Sequence, residues 1–526
     1  MNASFEQTRS LWMTQASADV AADARRLSED LTCDVVIVGA GIAGLSVAYE
    51  LSQTGKSVVV LDRGPIAGGV TSRTTAHLAP VCDDGVAELA KIRGEEMAAK
   101  FQASQSAAVD RIEAIVNKHN IECDFRRLDA YLFPAPGMTF KDAREEQAEE
   151  YKALRAAKVE VEKAKGVPLA GLEDAPVLRY ARQATFHPLK YVKALVAAIE
   201  AQGGRLFADT PVMEVEERES DVRVKAEGGF SVTAGHAVFA TNTPINDRVA
   251  LHSKMAPYRT YAMAFTVPRG ALPDALYWDM ADPYHYIRLQ PGTGSTDYLI
   301  VGGQDHKSGE ADDGDVRFEA LSAWIGQLVP KLGKEVARWS GQVMDTIDYC
   351  GFIGFNPGNK RVLVATGDSG QGMTHGALAG ILLKNLVIYG AGEWSEVYDP
   401  SRTPISATMN FVSENVTAIK NFAEYLMPGE IGSTDELKPG QGGIMRDGLH
   451  KVAVSRDQDG QLHVCSAVCT HLGCHVHWNS TEQCWDCPCH GSHFSPSGEV
   501  LAGPAIAPLE KRSLPAKAKQ PSTTGA

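Results

Sequence analysis

Asp34-Val-Val-Ile-Val-Gly39-Ala-Gly41-Ile-Ala-Gly44 is the stretch whose reading settles the fold of the larger part of this chain. Val35 to Val38 form a short continuous apolar run, as a strand buried on both faces requires. Leu45 to Leu51 follow at helical spacing, and a second strand-like run, Ser57 to Leu61, ends on Asp62. Strand, glycine turn, helix and strand make one βαβ unit carrying a dinucleotide-binding fingerprint. Gly39 permits the turn, Gly41 lets the backbone approach a pyrophosphate, and Gly44 allows close packing of helix on strand. The helix N-terminus favours phosphate charge, Asp62 is placed for the ribose hydroxyls, and Arg63 beside it is a further candidate contact. No second GxGxxG stands in a strand–helix setting, which disfavours a pyridine nucleotide as direct electron donor.

Working outward, the apolar spacing predicts helices over Val86 to His119, Thr139 to Lys165, the latter heavily charged, and Pro188 to Gln202. Strand-like runs stand at Arg205 to Phe207, Val212 to Glu216, Val222 to Ala226 and His236 to Thr241. Between Tyr258 and Gly303, β-prone segments alternate with turns, as in an antiparallel sheet. A last apolar strand, Arg361 to Thr366, leads through a glycine-rich turn to a helix from His375 to Tyr389. Residues 426–442 have the Pro/Gly composition of a linker or domain lead-in, and short strands with turns follow. The last residues, 513–526, read as a disordered tail and 1–31 as a surface arm.

At 526 residues, two or three domains are expected. A formal net charge of −14 argues against nucleic acid as a partner. No stretch approaches the ~20 apolar residues of a membrane span, and no signal-peptide core precedes Leu31, so a cytoplasmic location is expected. Six of the ten cysteines lie between Cys465 and Cys489, a clustering that reads as a metal site before a disulfide framework. Cys33, Cys82, Cys123 and Cys350 are scattered and read as small buried residues.

The cluster contains two boxes, Cys469-Thr-His471-Leu-Gly-Cys474 and Cys487-Pro-Cys489-His490-Gly-Ser492. Cys469, His471, Cys487 and His490 supply the two thiolates and two imidazoles of a Rieske-type [2Fe–2S] centre. The alternative is zinc held by Cys484, Cys487, Cys469 and Cys474. The boxes resemble those of the Rieske proteins of cytochrome bc complexes. That resemblance implies a disulfide between Cys474 and Cys489, a hydrogen bond from Ser492 to a cluster sulfide, and an exposed histidine edge by which electrons leave. It also places Phe494 where those proteins carry a tyrosine, which implies a lower potential.

The N-terminal part, from about Asp34 to Glu424, resembles the D-amino-acid oxidase-like FAD-dependent oxidoreductases. The resemblance rests on the early fingerprint, Gly68-Gly-Val-Thr-Ser72-Arg73-Thr-Thr75, Thr210-Pro-Val212, Phe239-Ala-Thr241-Asn242, and the late turn Thr366-Gly367-Asp368-Ser369-Gly370-Gln371-Gly372-Met373-Thr374. It implies that Ser72, Arg73, Thr75, Val212, Thr241, Gly367, Gly370, Gly372, Met373 and Thr374 contact FAD. Asp368 replaces the aromatic residue commoner there. His77 is similar in position to the histidine that carries covalent flavin in the dimethylglycine dehydrogenase group; a histidine beside the flavin without a bond is the alternative. Family pockets are built from strands such as Tyr277 to Arg288, which makes Arg288, as a carboxylate clamp, and Tyr286 the candidate catalytic residues, ahead of Tyr258, His306, Lys307 and Tyr349.

The expected fold is an α/β FAD-binding Rossmann-like domain with an antiparallel-sheet (α+β) substrate domain, plus a C-terminal all-β Rieske domain. The FAD-dependent part spans 32–425, with 32–110, 185–245 and 350–425 binding FAD and 111–184 and 246–349 forming the substrate domain; the Rieske domain spans 443–512. The expected function is dehydrogenation of an amine or amino-acid-like small molecule, with electrons passed singly through the cluster to an external acceptor protein. A flavin monooxygenase fed through the Rieske domain and a non-catalytic electron-transfer or redox-sensing module are the rival readings.

Overall fold

The strand Leu31–Val38 has its four last residues buried, and it lies at the centre of the first sheet. In this computed structural model, which describes residues 6–15, 20–21, 23–246, 251–402, 427–448 and 450–514, the sheet runs Phe352–Phe355, Val362–Thr366, Ser231–Asn242, Leu31–Val38, Val58–Leu61, Arg205–Phe207. All but the first of these are parallel. Ile37 lies opposite Val60 and Val238, and Val238 opposite Leu363, so the strands end together. The glycine turn, Asp62, Thr241 and Gly367 therefore emerge along one carboxyl edge, where open α/β sheets bind ligands.

A second sheet is almost wholly antiparallel. It starts with Glu335–Thr346, Met255–Pro268, Thr296–Lys307 and Tyr286–Gln290, and continues through Leu276–Asp279, Arg126–Phe133, Pro176–Thr185 and His77–Leu78. Among its described strands, only Leu276–Asp279 with Arg126–Phe133 pairs parallel. Two small antiparallel sheets, Gly442–Asp447 to Leu462–Ser466 and His477–Asn479 to Val500–Ala502, make the C-terminal domain. No helix among the described residues is long and apolar enough to cross a membrane.

Three expectations need correction. The single helix over Val86 to His119 is two, Val86–Arg93 and Glu95–His119, because Gly94 stands between them at φ +84. The charged helix stops at Ala156; Lys158 turns the chain at positive φ, and Val161–Lys165 becomes an edge strand on Pro176–Thr185. Charge patterning concealed this, whereas β-branched Val159 and Val161 marked it.

The third concerns the N-terminal segment, whose described part is not a surface arm. Trp12 is fully buried, its indole N–H donates to Thr74 O at 2.6 Å, and the Arg288 guanidinium lies over its ring at 5.5 Å. The 427–442 stretch also packs: Glu430 and Ile431 N–H donate to Ile444 O, and Leu437 is buried beside Met445, Val452 and Val454. Most of the tail and all of 403–426 lie outside the described residues.

Candidate active site

The carboxyl edge of the first sheet opens into a long cleft. Gly39, Gly41, Asp62 and Arg63 line one end, with Thr71, Arg73, Thr75, Val212 and Thr241, and Gly367, Gly370, Gly372 and Met373 line the other. Gly39 takes the left-handed region at φ +102, and a Cβ on Gly44 would stand 1.8 Å from Gly39 O. Gly41 precedes the helix Ile42–Ser52, whose first N–H groups thus face the cleft. Ala40 N–H and Gly64 N–H donate to the Asp62 carboxylate at 2.6 and 2.9 Å, so this acid also locks the two turns that carry the fingerprint. The second helix N-terminus, at Gly372, lies across the cleft. A glycine-lined turn at a helix N-terminus suits a pyrophosphate, and the second helix N-terminus would favour negative charge on a ring bound at that end of the cleft.

Not every candidate contact faces the cleft. Ser72 is buried and its hydroxyl donates to Gly69 O at 2.8 Å, closing the short turn. Thr374 lines the adjoining cavity. His375, not among the sequence candidates, lines the cleft with a buried Nε2 that has no hydrogen-bond partner; burial, then Arg402, holds its pKa down at about 3. It lies one turn into a helix with no motif to mark it.

The adjoining cavity shares Thr75, Thr260, Tyr286, Val343 and Gly370 with the cleft, so the two are continuous. Tyr258 and Thr260 come from one strand, and Val343 and Asp345 from its neighbour, by strict alternation. On the next strand a bulge places Gln304 and Asp305 opposite Thr260 and turns Asp305 into the cavity. Tyr286 lies across Gly302, where a Cβ would come within 2.3 Å of its ring. His77 sits edge-on to Tyr286 at 5.1 Å, its Nδ1 3.1 Å from Thr75 Oγ1. Burial, then Arg288, holds the His77 pKa down at about 3.

Arg288 is not placed as a carboxylate clamp. It is fully buried outside the cavity, donating to the carbonyls of Thr75, Ala76 and Phe186 and to Gln290 Oε1 at 2.6–3.2 Å. Its guanidinium is spent on these carbonyls, so its work is to hold the Thr75–Ala76 turn from behind. Of the weaker candidates Tyr258 alone lines the cavity; His306 stacks on Tyr261 at 5.8 Å.

The opposite face of the same sheet carries the C-terminal domain. Arg259, between Tyr258 and Thr260, donates to Asp486 at 3.0 Å and to Ser340 at 2.8 Å. Gln342 donates to Gly491 O at 3.0 Å and stands 2.7 Å from His493 Nε2. Arg73 is buried among Glu6, Glu482, Ser340 and Thr8, at 2.8 Å from Glu6 and 3.2 Å from Glu482. Burial alone would raise the Glu6 pKa, but Arg73, then His493 and Arg259, hold it at about 2. A carboxylate depressed from 4.5 stabilises fully above that value and loses its effect as the pH falls through about 2. Thermal melts between pH 5 and 2 are expected to show this loss, and Glu6→Gln is expected to be less stable at pH 5 and to flatten the profile.

In the C-terminal domain, Cys469 and Cys487 are both buried with their thiols close to each other, and the nearby Ser492 hydroxyl accepts from Ala505 N–H at 3.0 Å. The His471 and His490 rings are 5.0 Å apart. Cys474 and Cys489 form a disulfide, and Cys484 donates to Asp486 at 3.3 Å, so the set proposed for zinc is not assembled. Two thiols facing two imidazoles, on loops tied by a disulfide, fit a [2Fe–2S] cluster. Phe494 is fully buried against this core. The histidine edge is not an exposed tip: His252, itself buried, has its ring 4.8 Å from that of His471 and 5.3 Å from that of His490. Gly503 of the same domain lines the cofactor cleft.

A family model for FAD dependent oxidoreductases matches residues 34–386, and a Rieske [2Fe-2S] domain model matches 428–513. A Bacillus subtilis protein named as a Rieske 2Fe-2S iron-sulfur protein, YhfW, is 31% identical over 93% of this chain and 95% of its own length. The Escherichia coli gamma-glutamylputrescine oxidoreductase is 26% identical over 71% of this chain and 87% of its own. Among solved structures, L-proline dehydrogenase from P. horikoshii superposes with a TM-score of 0.57 at 18% identity, covering 72% of this chain and 98% of that one, a likeness of fold.

Proposed function

The chain belongs to the FAD-dependent oxidoreductase family and ends in a Rieske [2Fe-2S] domain; on that premise we propose that it dehydrogenates an amine or amino-acid-like substrate and passes the electrons singly to the cluster and on to an external acceptor protein. Bound FAD supplies a two-electron acceptor, and the cluster a one-electron relay. The observation that carries the reading is His252, which touches both cluster histidines from the oxidoreductase side, while Gly503 lines the cofactor cleft. The histidine edge is thereby the inlet from the flavin and not the outlet.

In this reading Gly39 and Gly41 would seat the pyrophosphate, with Gly44 packing the helix onto the turn, Asp62 would hold the ribose, and Val212 and Thr241 would flank the adenosine side. Gly367, Gly370 and the helix start at Gly372–Thr374 would lie beside a bound flavin ring, where their N–H groups would favour negative charge on it. Tyr286 orients substrate at the junction of cleft and cavity. The amine activity of the Escherichia coli relative supports the substrate class.

An anaerobic screen of amines and amino acids is expected to bleach the flavin first and reduce the cluster afterwards. Failure of every compound, together with rapid reduction by a ferredoxin or NAD(P)H, overturns the reading.

A further inference from the structure

Five carboxylates from four separate segments line the substrate cavity: Asp83, Asp84, Asp282, Asp305 and Asp345. Among the described residues no lysine or arginine lines it, and the one histidine that does, His77, is held neutral. Such a set is not internally compensated. Tyr284 Oη donates to Asp83 at 2.8 Å, and Oδ1 of Asp305 has no hydrogen-bond partner. An unpartnered acceptor on a residue that lines a cavity marks where a ligand donor belongs. Four aromatic side chains, Tyr258, Trp278, Tyr284 and Tyr286, share the wall, and such faces attract ammonium groups.

From this geometry we infer that the cavity is built for a substrate with two or more ammonium groups, a linear di- or polyamine, and not for an amino acid. An amino acid would bring a carboxylate into a cavity that offers it no cation, and the nearby Arg288 is occupied with backbone carbonyls behind the wall. A monoamine would leave most of the acids unmatched. A flexible chain with terminal ammonium groups can place one at the flavin end, by Tyr286, and the others among the outer aspartates.

The electrostatics of the cavity agree. Burial pushes Asp305 up to about 6 and, with repulsion from neighbouring acids, Asp345 well above the ordinary range. At neutral pH some of these acids therefore carry protons, and a polycation entering the cavity drives them off.

The inference rests on the proposed dehydrogenase reading, and the test separates the two. Dithionite-reduced holoenzyme, which cannot turn over, is titrated anaerobically by calorimetry with 1,4-diaminobutane, spermidine, butylamine and proline, in two buffers of different ionisation enthalpy. The diamine or triamine is expected to bind at least about tenfold more tightly than butylamine, with net proton release, and proline not to bind. Asp305→Asn and, separately, Asp345→Asn are expected to weaken polyamine binding about tenfold or more, with flavin and cluster absorption retained as the check on folding.

Equal affinity for butylamine and the diamine, tighter binding of proline, or unchanged polyamine affinity in both variants overturns the inference. If polyamines bind with proton release but never bleach the oxidised flavin, the site stands and the dehydrogenase reading falls. If another amine bleaches the flavin while polyamines fail to bind, the dehydrogenase reading stands and the polyamine assignment falls.

Discussion

A Cys487→Ser variant is expected to retain flavin but lose the iron–sulfur absorption and the electron spin resonance signal of the reduced protein. Cys487 lies in the buried core of the C-terminal domain, close to Cys469. Changes outside the ligands themselves already cost about 10–100-fold in metal affinity, so loss of a ligating thiolate should remove the cluster. The Cys474–Cys489 disulfide and the packing of Trp485 and Phe494 are independent of Cys487 and should hold the domain together. With an amine that bleaches the flavin, a single anaerobic turnover should proceed as in the parent protein. Steady-state turnover with a one-electron acceptor should fall about 100-fold or more. Unimpaired steady-state turnover in the cluster-free variant shows that flavin electrons leave by another route.

The other large effect is expected at Gly44. A methyl there would lie 1.8 Å from Gly39 O, 3.0 Å from Gly39 C and 3.2 Å from Ile37 Cγ2, so Gly44→Ala must push the fingerprint turn out of place. Overpacking of this kind costs about 1–3 kcal/mol. Because the displaced turn also seats the cofactor, flavin affinity should fall about tenfold to hundredfold. The flavin-to-protein ratio after dialysis measures it. Gly326→Ala is the control: that glycine lies within the helix Gly314–Leu328, where an added methyl would meet nothing within 4 Å, and its replacement should be neutral or slightly stabilising. A flavin content in Gly44→Ala equal to that of the control removes the close-approach argument.

The elements most legible in sequence were those whose chemistry is local. The fingerprint is a turn and a helix start, and each cysteine–histidine box is one loop, so spacing alone carries the information. The cavity acids could not be read in this way. Asp83, Asp305 and Asp345 come from a loop, a bulge and a strand that meet only across the second sheet. Arg288 was misjudged for the same reason. Alternation puts it on the face of Tyr286, but the carbonyls of Thr75, Ala76 and Phe186 that claim it are far away in sequence. His252 carries no motif, and its meaning comes entirely from the two rings it touches.

The buried charges behind the sheet bear on the ancestry of the chain. Arg259 is matched by Asp486, and Arg73 is matched both by Glu482, from the other domain, and by Glu6, from the opposite end of the polypeptide. Removing one partner of such a pair strands the other at a cost of about 3–5 kcal/mol. Separated as cassettes, each half would carry a buried charge stripped of its partner. A lineage that borrowed this iron–sulfur cassette would have to inherit the first residues of the chain with it, since Glu6 shares Arg73 with Glu482.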